Sequence, residues 1–151
     1  MCRLFLWLAC DALLSVRAFF CPPCTWSLKP IVQQDAHYGA PFVCEGVLAL
    51  AIYSMKCGWR SDLISLLARL MMREVTEVHR CADLIVPVPS DPVRLVTRGF
   101  NPATLLARSV GQALSLKIAS YVLVRLHPTL DQVSLNRKGR SMNMIDGFTL
   151  Q

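Results

Sequence analysis

The sequence predicts an α/β fold, a parallel sheet flanked by helices, and three observations carry that prediction. The run Leu84–Val88 (LIVPV) is continuously apolar, which suits a strand covered on both faces. A helical segment over 102–115 and a second apolar run, IASYVLV over 118–124, follow at the spacing of a β-α-β unit. Pro87 and Pro89 cannot donate ladder hydrogen bonds, so they close the first strand at its carboxyl end. In open α/β sheets that edge is where ligands bind.

Upstream of this unit the chain reads as helical. Residues 3–20 form an apolar stretch interrupted by Asp11 and Arg17, with no small-x-small cleavage site. A charge at the centre of a membrane span is costly, so the expectation is an amphipathic helix docked on the domain or a partner, and no membrane span. The segment Cys21-Pro-Pro-Cys24 through Pro30 then breaks the helix with three prolines. Residues 25–41 show no clear period and read as a loop around His37-Tyr38-Gly39. Residues 42–56 are helical, with Gly58 as the stop. Ser61 is placed to cap a further helix over 62–78, in which Leu63, Leu66, Leu67, Leu70 and Met71 recur at helical spacing. The pair Met71-Met72 reads as core filler.

Downstream of the β-α-β unit, residues 125–147 hold few apolar anchors and four cations, Arg125, Arg137, Lys138 and Arg140. A connection longer than about 12–15 residues inside a compact domain is functional or disordered. Phe148-Thr149-Leu150 reads as the start of another strand. The chain contains neither an internal repeat nor a low-complexity tract.

Charge is uneven along the chain. Of the formal +6, residues 84–151 carry +5, with eight basic against three acidic groups. This fits an anionic partner, a phosphate-bearing small molecule or nucleic acid, as well as it fits ordinary surface charge. Three aromatics, Phe100, Tyr121 and Phe148, accompany those cations, which is a poor basis for a base-stacking platform in this half. The cysteines number seven, an odd count, and only Cys21 and Cys24 have ligand-like spacing. The thiols are therefore expected to be reduced and the chain cytoplasmic.

The chemistry suggested by the residues centres on the strand end. Pro87, Val88 and Pro89 restrict the backbone there, and Arg94, Arg98 and Gly99 follow in what reads as a basic loop. Asn101 is a good helix cap and Pro102 suits the first helical position. The positive end of that helix would face the same crevice. These features fit a pyrophosphate cradle, and equally a tight β-α turn with solvated arginines.

The stretch DLIVPVPSDPVRLVTRGFNPATLLA (83–107) resembles the VPVP and RGFNQ signature of the ComF/GntX family, competence-associated proteins with a type I phosphoribosyltransferase-like domain. A second segment, RLHPTLDQVSLNRKGRSMNMIDGF, is similar to that family's downstream motif at Arg125, Thr129, Gln132, Leu135, Arg140, Asn143, Gly147 and Phe148. Cys44-Glu45-Gly46 and Met55-Lys56 resemble an upstream segment, so the likeness covers roughly residues 40–151. It implies a degenerate Cys-rich, zinc-ribbon-like segment over 1–41, with a helix, and an incomplete phosphoribosyltransferase-like domain over 42–151.

The resemblance further implies that the Val-Pro-Val-Pro turn faces the diphosphate of phosphoribosyl pyrophosphate, with Mg2+ accompanying the donor. The segment carrying Arg125, Thr129, Gln132, Arg137, Arg140 and Asn143 would be a flexible loop closing over the reaction centre. It names no acceptor and no catalytic residue. Zn2+ is implied at the N-terminal segment, with Cys21 and Cys24 as one half-site, Cys10 as a third ligand, and Cys2 or His37 as a poor fourth.

Two departures stand out. Pro102 replaces the family's usual Gln. The family's donor-binding strand, ending in two acidic residues and a Thr-Thr-Gly loop, would follow Phe148, whereas the sequence stops at Gln151. The expectation is a truncated protein, inactive by itself as a transferase. The alternative is a nucleic-acid-linked module of the DNA uptake machinery, with single-stranded DNA or a competence helicase-like protein as partner.

Overall fold

The computed structural model describes residues 5–6, 13–14, 20–31, 39–75, 81–128 and 134–151. The chain divides into two compact units, Met1–Cys81 and Ala82–Gln151.

In the first unit, Phe5–Leu6 (β1) pairs antiparallel with Leu13–Leu14 (β2). This corrects the helix expected over 3–20. The stretch is rich in aromatic residues, with Phe5 and Trp7 early on, and short apolar runs carry no period that separates strand from helix. Pro22–Trp26 (α1) is a short helix beginning on the two prolines, with Cys21 in the capping position. Prolines therefore start a helix here rather than only ending one, since their missing N–H groups fall in the first turn. An antiparallel bridge, Pro30 to Phe42, and the Lys29–Glu45 ion pair at 2.5 Å tie its exit to the next helix.

That helix, Gly46–Cys57 (α2), ends at Gly58 as expected but starts later than residue 42. It buries Val47, Leu48, Ala51 and Met55. Ser61–Leu63 forms a 3-10 turn leading into Ile64–Met71 (α3), and Met72–Glu74 forms another. Ser61 is the first residue of the turn and not the cap, a position that Arg60 holds without a side-chain hydrogen bond. Arg60 instead grips Asp62 through Nε at 2.7 Å. Of the periodic residues, Leu63, Leu66 and Leu67 are buried, as is Ile64 beside them, and Leu70 is half-buried. Each buried side chain contributes roughly 1.5–3 kcal/mol of burial. Met71 is exposed and Met72 half-buried, so the methionine pair is not core filler.

The second unit is mixed α/β. Leu84–Ile85 (β3) pairs in parallel with Lys117–Ile118 (β4), with registers Leu84 to Lys117 and Ile85 to Ile118. Between them run two helices, Pro92–Arg98 (α4) and Pro102–Leu114 (α5). The crossover is thus the β-α-β unit read from the sequence, with one helix added. Gly111 sits where α5 meets β4, and a Cβ there would lie 3.1 Å from Ile118 Cγ1.

Two further corrections concern the strands. The first is only two residues long, and Leu84 is 42% exposed, so it is not covered on both faces. The apolar run 118–124 is not one strand: it turns at Ser120 and Tyr121, and Leu123–Arg125 (β5) pairs antiparallel with Phe148–Leu150 (β6). Arg137–Asn143 (α6) lies between those two strands in sequence.

Candidate functional site

Beyond Ile85 the chain leaves the ladder at Val86 and enters the Pro87-Val88-Pro89 turn. Pro87 is buried, Pro89 half-buried, and Val88 is 52% exposed. Asp91, itself buried, ends the turn as the cap of α4: its Oδ1 accepts from the Val93 N–H at 3.0 Å, and Pro92 takes the first helical position. The basic loop expected around Arg94 and Arg98 is therefore a helix, Pro92–Arg98. Asp91-Pro92 is a capping signal that the sequence does carry.

Arg94 and Arg98 stand four residues apart on this helix, hence on one face. Arg94 is exposed and Arg98 half-buried. Gly99 closes the helix at φ +79°, donating from its N–H to Leu95 O at 2.8 Å. Glycine adopts that left-handed conformation at little cost.

Asn101 then does two things with one carboxamide. Its Oδ1 accepts from the Ala103 N–H at 3.0 Å, capping the helix that Pro102 opens. Its Nδ2 donates to the Val88 carbonyl at 3.0 Å. An ionised Asp could do the first and not the second, since it has no donor. The strand end and the positive end of a thirteen-residue helix are thereby fastened together. Of the residues expected at the turn, Val88 and Asn101 are in direct contact, Pro89, Arg94, Arg98 and Gly99 lie on the segment they enclose, and Pro87 lies just before it.

The expected flexible loop contains structure of its own. Leu126 N–H donates to Gly147 O at 3.0 Å and Gln151 N–H to Val122 O at 2.9 Å, extending the β5–β6 pair. The Arg125 guanidinium lies 4.9 Å from the Phe148 ring centroid. Asn136 caps α6 by accepting from the Gly139 N–H at 2.8 Å, and Arg140 Nε donates to Leu135 O at 2.9 Å. Arg137, Lys138 and Arg140 are exposed and Asn143 half-buried. Thr129 and Gln132 lie outside the described residues.

Cys10, Cys2 and His37 also lie outside the described residues. Cys21 is buried at the start of α1 and Cys24 half-buried within it. Among the described residues no three His, Cys, Asp or Glu side chains converge. Of the residues expected at a zinc site, only Cys21 and Cys24 are described. No helix among them is long and apolar enough to cross a membrane.

The fold and turn define a mixed α/β protein whose parallel strand ends in a Pro-Val-Pro turn clamped to a helix start. The chain is 31% identical over 109 residues to the DNA utilization protein YhgH of Salmonella typhi, which covers 69% of this chain and 48% of the relative. The YhgH protein of Escherichia coli K12 matches to the same identity and extent. Competence protein F of Haemophilus influenzae is 28% identical over 94 residues, 61% of this chain and 41% of the relative. The chain belongs to the ComF/GntX family, as its two spaced motifs indicate. It spans about half the length of the curated relatives it matches. No family model matches the chain, and no solved structure does.

Proposed function

We propose that this chain acts in competence-linked DNA utilization, and that its Ala82–Gln151 unit is a phosphoribosyltransferase-like half whose Val-Pro-Val-Pro turn receives a diphosphate. The names of its relatives, DNA utilization protein and competence protein F, support the first part. The Asn101 bridge between Val88 O and the Ala103 N–H supports the second, because it holds the turn against a helix N-terminus, where backbone donors favour anions. Arg94 and Arg98 would add charge-assisted hydrogen bonds to diphosphate oxygens. Mg2+, when bound with the donor, would neutralise part of the charge on a departing diphosphate. Arg137, Lys138 and Arg140, exposed on one short helix, are the cations available to screen the rest and exclude water. The same reading has the chain in the cytoplasm, where the free thiols of Cys44, Cys57 and Cys81 would persist.

Calorimetric titration with magnesium pyrophosphate tests the turn. Saturable binding that the Arg94→Gln, Arg98→Gln double variant loses is expected. No binding by the wild-type chain, or equal binding by the variant, would overturn it. Phosphoribosyl pyrophosphate should bind no more tightly than pyrophosphate if these residues hold only the diphosphate end.

A second reading, a nucleic-acid-binding module without transferase activity, draws on the +5 charge of residues 84–151 and the relatives' names. Affinity for single-stranded DNA that falls steeply with salt, in a chain blind to pyrophosphate, would favour it.

A further inference from the structure

Helix α2 carries apolar residues on both sides. Val47, Leu48, Ala51 and Met55 are buried, yet Leu50 and Tyr53, three residues apart, are exposed on the other side. Tyr53 is 66% exposed, and the stripe continues one turn on through the exposed Lys56 and Cys57. Beyond Gly58 the chain folds back on the helix: the N–H groups of Gly58 and Arg60 both donate to Ser54 O, at 2.8 and 3.3 Å. The backbone on either side of Trp59 is thus tied to Ser54, the neighbour of Tyr53.

Trp59 is unusual in two respects. Its backbone sits at φ +57°, a conformation natural to glycine and uncommon for a bulky residue, and its side chain is 62% exposed. Folding gains little burial from an indole left in solvent, so packing does not account for the strain. Strained backbone of this kind clusters at ligand clamps. Charge points to the ligand's chemistry. Lys56, on the same stripe, has no ion-pair partner among the described residues, whereas the neighbouring Arg60 is occupied by Asp62. Two exposed aromatic residues, three positions to either side of a lysine with no ion-pair partner among the described residues, suit a planar base joined to a phosphate.

We infer that Tyr53, Lys56 and Trp59 form a nucleobase-stacking site for single-stranded nucleic acid in the first unit. Tyr53 and Trp59 stack bases, and Lys56 contacts the adjoining phosphate. The inference rests on the DNA-linked part of the reading above and is independent of the diphosphate turn.

The test is fluorescence anisotropy of a labelled thymidine oligonucleotide with the full chain, compared with an abasic oligomer of equal length. Trp59→Gly is the decisive variant, because glycine suits φ +57° and the fold should survive, as circular dichroism and a thermal melt would verify. Loss of one stacked base should weaken binding about five- to 150-fold. That loss is expected for Trp59→Gly and Tyr53→Ala, with Tyr53→Phe close to wild type and the abasic oligomer bound weakly. Lys56→Gln should reduce the slope of log affinity against log salt by about 0.7.

The inference is overturned if wild type does not bind, if folded Trp59→Gly binds as tightly as wild type, or if the abasic oligomer binds equally well. A Trp59→Gly change in self-association with oligonucleotide binding unaltered would likewise overturn it, marking a protein-docking face instead. Pyrophosphate binding should be unaffected by Trp59→Gly, and oligonucleotide binding should survive Arg98→Gln, so this site and the turn can fail separately.

Discussion

The Asn101 carboxamide nitrogen lies 3.0 Å from the Val88 carbonyl oxygen, thirteen residues back along the chain. Its oxygen meanwhile caps the helix Pro102–Leu114 through the Ala103 N–H. One side chain therefore fixes both the closing end of a parallel strand and the opening end of a helix.

The two halves of this carboxamide can be separated by substitution. Asn101→Ala should cost about 1–2 kcal/mol of stability, mostly through the lost cap, measured by urea denaturation. Asn101→Asp keeps the capping oxygen and loses the donor to Val88 O. It should stay close to wild type in stability while binding pyrophosphate more weakly, both from the loosened turn and from the added negative charge. Equal loss of stability in the two variants would show that the Val88 contact, rather than the cap, dominates.

A pH effect is expected from the first unit. Hydrogen bonding from Arg60, chiefly, holds the Asp62 carboxyl below its usual range, aided by the guanidinium charge and opposed by partial burial. A carboxyl depressed in the folded state contributes stability that is fully present above its unfolded pKa and lost as pH falls through its folded one. The pair is largely exposed, so the effect should be modest, within roughly 0.2–1 kcal/mol. Thermal melts from neutral to strongly acidic pH should show that increment in wild type and not in Asp62→Asn.

Much of the second unit is legible in the sequence. Asn101-Pro102 and the apolar run after Asp83 announce the helix and strand that frame the turn, because capping and proline placement are local rules. The same rules apply to Asp91-Pro92, and the helix there was hidden only by the turn residues on either side. What local rules cannot supply is the long-range partner of a side chain. Nothing in the sequence around Asn101 says that its amide reaches Val88. Nor does helical spacing around Tyr53 reveal which face stays uncovered, since α2 is apolar all round. The N-terminal strands Phe5–Leu6 and Leu13–Leu14 are illegible for a related reason: an apolar run without clear period is shaped by what it pairs with.

Two left-handed residues should respond oppositely to substitution. Gly99 sits at φ +79° with open space where a Cβ would go, so Gly99→Ala meets only backbone strain. It should cost about 1–2 kcal/mol. Ser115, ending the helix Pro102–Leu114 at φ +57°, already carries that strain. Ser115→Gly should stabilise by up to about 1 kcal/mol. Denaturant midpoints of both variants check the pair, and a shift of the same sign in both would contradict the strain argument.

Gly111 provides a sharper case because two effects compete. In a helix interior, Gly→Ala ordinarily gains about 0.5–1 kcal/mol by restricting the unfolded chain. At this position a Cβ would lie 3.1 Å from Ile118 Cγ1 and 3.1 Å from the Leu116 carbonyl oxygen. The isoleucine tip can rotate away, but the carbonyl belongs to the backbone of the turn leading into β4, where Leu116 N–H also donates to Gly111 O at 2.9 Å. Relieving the contact would push the helix off the strand that pairs with Leu84–Ile85. Overpacking of this kind costs about 1–3 kcal/mol, so the clash should outweigh the propensity gain. Gly111→Ala is therefore expected to be destabilising. It should also weaken pyrophosphate binding, because the displaced helix carries Asn101 at its other end. A variant that proved more stable than wild type would mean that the helix and strand are less closely apposed than these distances imply.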